Sequence, residues 1–231
     1  MDCKVCDLGL VDYQESFALQ KSLRKERQDN FIADTLLVCE HPTVITLGRL
    51  ASSDNILVNK EYLKQRNIEV INVDRGGDVT MHMPGQLIAY PIFDLNQHGK
   101  DIHIFIRKLE ETILIFLSYF GIKGQRIDGL TGVWAGDKKI GSIGIAISRW
   151  VSYHGLSINI NCDWELFPVV RPCGLPVDKF TDLCSVLNKH ISMQIAKASL
   201  REAFRHVFNF NFLNTKYTIE KQTRQKEKIL T

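Results

Sequence analysis

The sequence predicts an α+β fold: a single domain with a mixed β-sheet backed by helices. Three observations carry this expectation. Residues 139–148 and 152–161 alternate with the period of two that marks strands. Residues 101–120 instead place apolar side chains at the three-and-four spacing of an amphipathic helix. Neither an internal repeat nor a Gly/Pro/Ser-rich linker divides the 231 residues, a length that supports one substantial core.

Taken in order, Val5 to Leu10 reads as a first strand. Asp12 with Glu15 three residues on has the form of a capping box, and Tyr13, Phe17, Leu19 and Leu23 give a helical face to about Gln28. Thr35 to Cys39 is a short buried strand, and residues 55–58 are loop or edge. Asn59 caps a short helix through Arg66, and Ile68 to Asp74 is a strand. Leu87 to Leu95 is another, with Pro91 marking an edge or a bulge because proline has no N–H for the ladder. The helix from Asp101 turns Ile102, Phe105, Ile106, Leu109, Ile113, Phe116, Leu117 and Phe120 inward and ends at Gly121. It reads as a core helix with no chemistry of its own. Gly136-Asp137 is a two-residue hairpin signal between Val133-Trp134 and the Lys139 strand. A short helix over Asp178 to Leu187 and a longer one over Ile191 to Phe208 follow, the latter with Ile195, Leu200, Ala203, Phe204 and Val207 inward. Residues 1–215 form the folded unit on this reading, and 216–231, alternating Lys, Arg, Gln and Glu, a frayed polar tail.

Composition narrows the function. Hydrophobic content of 45% with 24% charged residues is that of a soluble globular chain. A net charge of +3 is too mild for a nucleic-acid protein and compatible with docking a small acidic protein. The longest apolar run, Ile113 to Leu117, is far too short to cross a bilayer, and the first residues carry neither a signal-peptide core nor an arginine-rich transit pattern. No membrane and a cytoplasmic location are therefore expected. Cys3 and Cys6 form a lone C-x-x-C without histidines at zinc-ligand spacing, so no metal site is expected there.

Two stretches suggest chemistry. Glycines at 141, 144 and 155 lie inside strands, where they often mark the close approach of a ligand or another backbone. This bare floor begins beside Lys139 and leads to Cys173, which sits between Pro172 and Gly174 in a tight, exposed loop. A thiolate is a strong nucleophile, a nearby ammonium favours that charged form, and lysine can take and return the proton. The second stretch is Arg75 to Gln86. There Gly76 and Gly77 let backbone N–H groups converge on one point, while Arg75 adds a charge and His82 a titratable ring.

Five blocks in this order resemble the lipoyl(octanoyl) transferases of lipoate biosynthesis: LGLVDYQESFALQ, EHPTVITLGR, RGGDVTMHMPGQLIAYPIFDL, KIGSIG and HGLSIN followed by RPCG. They span residues 8 to about 183. The resemblance implies an α+β fold similar to the catalytic domain of lipoate-protein and biotin-protein ligases. It implies transfer of an octanoyl group from octanoyl-acyl-carrier protein to a lysine of lipoyl domains, those of 2-oxoacid dehydrogenases and the glycine cleavage H protein, without cofactor or metal. The family's nucleophile falls on Cys173 and its activating lysine on Lys139. Its acyl-binding segments fall on Arg75, Gly76, Gly77, Asp78, Val79, Thr80, Met81 and His82, on Ser142, Ile143 and Gly144, and on Gly155, Leu156 and Ser157. The chain departs from the family's usual TYHGPGQ at Met81 and Met83, which replace a tyrosine and a glycine, a change that bears on acyl chain length.

The alternative of the same fold is an ATP-dependent lipoate-protein ligase, which needs no loop cysteine. A non-catalytic binding module would tolerate loss of Cys173 and Lys139. A cysteine hydrolase would need a histidine base, for which His82 and His154 are the candidates.

Overall fold

The computed structural model describes residues 1–213. In chain order its elements are β1 (Asp2–Leu10), α1 (Tyr13–Gln28), β2 (Asp34–Glu40), β3 (Val44–Leu47), α2 (Lys60–Gln65), β4 (Glu69–Asn72), β5 (Val79–His82), β6 (Gln86–Ile92), α3 (Ile102–Ser118), β7 (Gly124–Ile127), β8 (Leu130–Ala135), β9 (Lys138–Ser148), β10 (Val151–Asn159), α4 (Leu183–Leu187), α5 (Met193–Phe208) and β11 (Asn211–Leu213). The tail expected at 216–231 lies outside the described residues.

Eight strands form one sheet in the order β11-β1-β2-β6-β10-β9-β8-β7, and three form a smaller one in the order β4-β3-β5. Both are mixed. In the large sheet β1 runs parallel to β2 and β11 while the other pairs are antiparallel. In the small one β3 is parallel to β4 and antiparallel to β5. Helices α3 and α5 cover one face of the large sheet, burying Phe105, Ile113, Phe116, Leu200 and Phe204 against Leu36, Phe93 and Ile158. Leu23 of α1 packs on the other face with Leu37, Ile88 and Tyr90. The small sheet has its own core, in which Ile45, Val79, Met81 and Met83 pack with Phe167 and Phe180.

Side-chain oxygens cap three helices, at the expected Asp12 and Asn59 and also at Asp101, and Glu15 does not return the bond of a capping box. Asp12 accepts the N–H groups of Gln14 (2.8 Å) and Glu15 (3.2 Å), Asn59 that of Tyr62 (2.9 Å), and Asp101 those of His103 (2.7 Å) and Ile104 (3.0 Å). The buried face of α1 differs from the apolar pattern. It runs through Tyr13, Ser16, Gln20, Leu23 and Arg27, with Phe17 and Leu19 half-buried. Gln20 and Arg27 go inside because each finds a partner there: Gln20 Oε1 accepts the N–H of His154 (2.8 Å), and Arg27 pairs with Asp34.

Other boundaries move for local reasons. The helix expected from Asp178 starts at Leu183, because the carboxylate of Asp182 accepts the Ser185 N–H (2.7 Å) and caps it there. In α5 the inward stripe is Ala196, Leu200, Ala203, Phe204 and Phe208, which leaves Ile195 58% exposed. Pro91 is not at an edge, since β6 lies between β2 and β10. It sits instead where β10 turns irregular: His154 has φ +54°, its N–H leaves the ladder for Gln20, and the Pro91 carbonyl accepts the Ser152 hydroxyl (2.7 Å). Strands β3, β5, β7 and β11, each of three or four residues, are too short to show as alternation in the sequence.

A buried charge cluster ties α1 to the sheet. Asp34, on β2, accepts Arg27 Nε (2.8 Å), His98 Nε2 (2.6 Å) and the Asp94 N–H (2.9 Å). Removing the carboxylate leaves Arg27 and His98 buried without it. Asp34→Ala is expected to destabilise the fold by about 3–5 kcal/mol, read as a lowered urea midpoint at unchanged m-value.

Candidate active site

Between the two sheets lies a cavity of about 580 Å³. Arg75 to Met81 form one wall, Ser142 to Gly144 with Ser157 contribute from β9 and β10, and Lys139 and Cys173 both line it. A second cavity of about 40 Å³ is lined by His82, Gly155 and Leu156 and shares Arg75, Thr80, Ser142, Ile143, Gly144 and Ser157 with the first. The segments singled out in the sequence thus meet, but His82, Gly155 and Leu156 face only the small chamber. Met81 lines the main cavity, whereas Met83 is buried in the core of the small sheet and is absent from its wall.

Cys173 is the exposed thiol among the six cysteines. The Pro172–Gly174 turn holds it in the left-handed region (φ 54°, ψ 29°), which costs a non-glycine residue about 1 kcal/mol or more. Its N–H donates to Asp78 Oδ2 (2.9 Å), which also accepts Asn55 Nδ2 (2.6 Å), so the loop is tied to the cavity wall. Burial pushes the thiols of Cys3, Cys6, Cys39 and Cys162 up and keeps them protonated. Cys3 and Cys6 belong to the cores on opposite faces of the sheet, so their C-x-x-C spacing does not bring the sulfurs to one site.

Lys139 is only 6% exposed. Pairing steps from Val133↔Gly141 to Trp134↔Lys139, a bulge that sends Ile140 into the core and leaves Lys139 on the cavity. Its Nζ donates to the Thr131 carbonyl (2.9 Å) and lies 5.1 Å from the centre of the Trp134 ring. Burial lowers its pKa, while the negative charges of Cys173 and Glu110 act in the opposite direction. Lys139 and Cys173 line the same cavity, and no hydrogen bond joins Nζ to Sγ in this arrangement.

Arg75 is 6% exposed, and its guanidinium has no carboxylate ion pair among the described residues. It donates instead to the Thr46 carbonyl (2.9 Å), Thr46 Oγ1 (2.8 Å) and the Gly76 carbonyl (3.1 Å), and burial lowers its pKa. Glycines make room for it. A Cβ on Gly48 would lie 2.7 Å from Arg75 Nη1, and one on Gly144 would lie 3.0 Å from the Gly76 carbonyl. Gly141 and Gly155 serve packing instead, against Ile113 and the Ala89 carbonyl respectively. The convergent N–H groups expected at Gly76-Gly77 are partly committed, since the Gly76 N–H donates to Ile145 O (2.8 Å).

A cluster of buried rings lies behind this floor. The Tyr13 ring centre is 5.2 Å from that of His41 and 5.9 Å from that of His82. His41 Nδ1 donates to Val11 O (2.6 Å) and its Nε2 accepts from Tyr90 Oη (2.8 Å). His82 Nδ1 donates to Gln86 Oε1 (2.7 Å), and His154 Nε2 donates to Asp74 Oδ1 (2.8 Å). Burial pushes His82 down to about 3 and His154 to about 4. Neither ring lines the main cavity with Cys173; both line the small chamber beside it.

Several cavity residues escaped the sequence reading. Ile102 and Ile106 of α3 line it, although that helix was read as core alone; their offset from Phe105 and Leu109 made the apolar stripe wider than one packed face needs. Leu130, Trp134, Phe167 and Phe180 complete an apolar lining. Tyr13 and His41 lie within the quoted blocks, but nothing in their spacing announced a cluster.

Comparison with known proteins shows the family and the fold. The family described as the lipoyl protein ligase A/B catalytic domain matches residues 12–205. An octanoyltransferase of Caldicellulosiruptor saccharolyticus is 42% identical over 214 residues, covering 92% of this chain and 91% of the relative. One of Thermosynechococcus vestitus is 39% identical over 211 residues, covering 90% of each. The crystal structure of lipoate-protein ligase A bound with ATP is similar in fold, with a TM-score of 0.72 at 15% identity over 98% of this chain and 94% of that one.

The buried histidines set an acid limit on stability. Free histidine titrates near 6.5, above the folded values of about 4 for His154 and about 3 for His82, so below pH ~6.5 the unfolded chain binds more protons. Stability is full above that pH and is expected to decline as pH falls through about 4 and towards 3. Urea midpoints measured from pH 7 to 4 should fall, and His82→Gln should flatten the slope. A midpoint constant over that range would contradict the buried neutral rings.

Proposed function

The chain belongs to the lipoyl protein ligase A/B catalytic domain family, and from that premise we propose that it is an octanoyltransferase of protein lipoylation acting through a thioester on Cys173. The donor is octanoyl-acyl-carrier protein. The acceptors are lysines on the lipoyl domains of 2-oxoacid dehydrogenases and on the glycine cleavage H protein, in the cytoplasm. The observation that carries the reading is one apolar cavity with an exposed cysteine and a buried lysine on its wall.

The chemistry runs in two halves. Cys173 Sγ attacks the thioester carbonyl and its proton passes to Lys139 Nζ. The carrier's sulfur leaves with the bonding pair and takes that proton back, so one thioester replaces another. The amine of the acceptor lysine then attacks the enzyme thioester. Its C–S bond breaks, Cys173 departs as thiolate, and Lys139 carries a proton from the nitrogen to the sulfur. An amide is more stable than a thioester, so this half is downhill. The donor is already activated, which is why neither ATP nor a metal enters the scheme. The apolar lining from Ile102, Ile106 and Leu130 suits an alkyl chain, and the buried guanidinium of Arg75 suits the charge that develops on the carbonyl oxygen.

The test is octanoylation of an apo lipoyl domain from octanoyl-acyl-carrier protein by the purified chain. Transfer is expected to persist after apyrase or EDTA treatment and to fall by about 10³-fold or more in Cys173→Ser. Transfer that requires ATP and survives Cys173→Ser would establish the ligase alternative instead.

A further inference from the structure

Lys139 is linked to a buried carboxylate through a single peptide unit. Its Nζ donates to the Thr131 carbonyl (2.9 Å), and the N–H of that same peptide, belonging to Gly132, donates to Glu110 Oε1 (3.2 Å). Glu110 is 1% exposed, on the face of α3 between Leu109 and Ile113, where an unpartnered carboxylate would be costly. Its other oxygen, Oε2, accepts Arg107 Nη1 (2.7 Å) and Arg126 Nε (3.0 Å). Those arginine side chains are 60% and 31% exposed and approach from outside. Surface pairing therefore accounts for Oε2, but not for Oε1 turned inward onto the peptide that carries the lysine.

The midpoint of this chain admits only glycine. Gly132 has φ +131°, and a Cβ there would lie 2.6 Å from both the Gly141 carbonyl and Lys139 Cε. The carboxylate, the peptide and the ammonium are thus held in register by β8, β9 and α3 together.

We propose that Glu110 is a positioning residue for Lys139, holding and electrostatically supporting its ammonium through the Thr131–Gly132 peptide. This rests on the reading of Lys139 as the proton carrier. Hydrogen bonds in series polarise one another, so a carboxylate on the N–H makes the Thr131 carbonyl a stronger acceptor for Nζ. When the proton of Cys173 reaches Nζ, a charge appears in a site with little solvent. The titratable groups facing Lys139 are Cys173 from the loop and Glu110 from α3, with the Trp134 ring from β8. Arg107 and Arg126 face Glu110 and offset part of its charge. Burial disfavours the ammonium and Glu110 opposes that effect.

The test compares Glu110→Gln, Arg126→Gln and Lys139→Ala in the full chain. Two readouts are the pH–rate profile of octanoyl transfer and the pH dependence of Lys139 acetylation by acetic anhydride, followed by peptide mass. Glu110→Gln keeps an acceptor for the Gly132 N–H, so the Lys139 midpoint should move to lower pH. kcat at neutral pH should fall roughly ten-fold, with KM within about two-fold. Arg126→Gln removes a competing cation and should move the midpoint to higher pH; it also keeps the inference testable if Glu110→Gln does not fold. Midpoints unmoved in both variants, or moved the same way, overturn the inference and make Glu110 a structural ion pair. Lys139→Ala separates the two levels. If it retains transfer, the proton-carrier reading fails and this inference with it. If it abolishes transfer while Glu110→Gln leaves the midpoint in place, only this inference fails.

Discussion

One buried cation joins the two sheets and shapes the cavity between them. Arg75 enters the interior without a carboxylate ion pair among the described residues, a situation that costs several kcal/mol unless hydrogen bonds replace water. Thr46 of the small sheet supplies two acceptors, and the next residue, Gly76, donates to Ile145 of the large sheet. The same dipeptide therefore joins both sheets and forms a wall of the cavity between them. Bare backbone at Gly48 and Gly144 is what permits the approach, since a methyl group at either would meet the Arg75–Gly77 segment at 3.0 Å or less. The glycines that the fold needs and the cavity that the chemistry uses have one cause.

Charge is distributed around that cavity in a consistent way. The ring cluster behind the floor is kept neutral by burial, so the histidines do not add positive charge beside Arg75. Asp78 ties the cysteine loop through a backbone N–H, leaving the sulfur exposed at the end of a strained turn. Lys139 is nearly buried, yet it retains a carboxylate one peptide away. The site thus has one exposed thiol, one buried amine and one buried guanidinium, set in walls that are otherwise mostly apolar.

Much of the architecture is legible in the residues wherever a pattern is long. The helix at 102–118, the β9–β10 hairpin and the caps at Asp12 and Asn59 follow from local periodicity and capping chemistry. Short strands such as β7 and β11 do not, because three or four residues carry too little alternation and their pairing is decided by distant neighbours. The burial of Gln20 and Arg27 does not show in the sequence because their partners, His154 and Asp34, are brought to them only by the fold. Of the candidate site, the segments bearing Cys173, Lys139 and Arg75 are marked by glycine and proline, and they do converge on one cavity. Glu110 is hidden because, beside Glu111 and just after Arg107 and Lys108, it reads as part of the polar side of α3, and the Tyr13–His41–His82 cluster because its members are far apart in the chain.

In the proposed reaction the thiol of Cys173 carries the acyl group. Intact-mass spectrometry of the protein mixed with octanoyl-acyl-carrier protein, without acceptor or ATP, reads this out. A single octanoyl adduct is expected, cleaved by neutral hydroxylamine and mapped to the peptide containing Cys173. An adduct on Cys162 or Cys184, or no adduct until ATP is supplied, would contradict it.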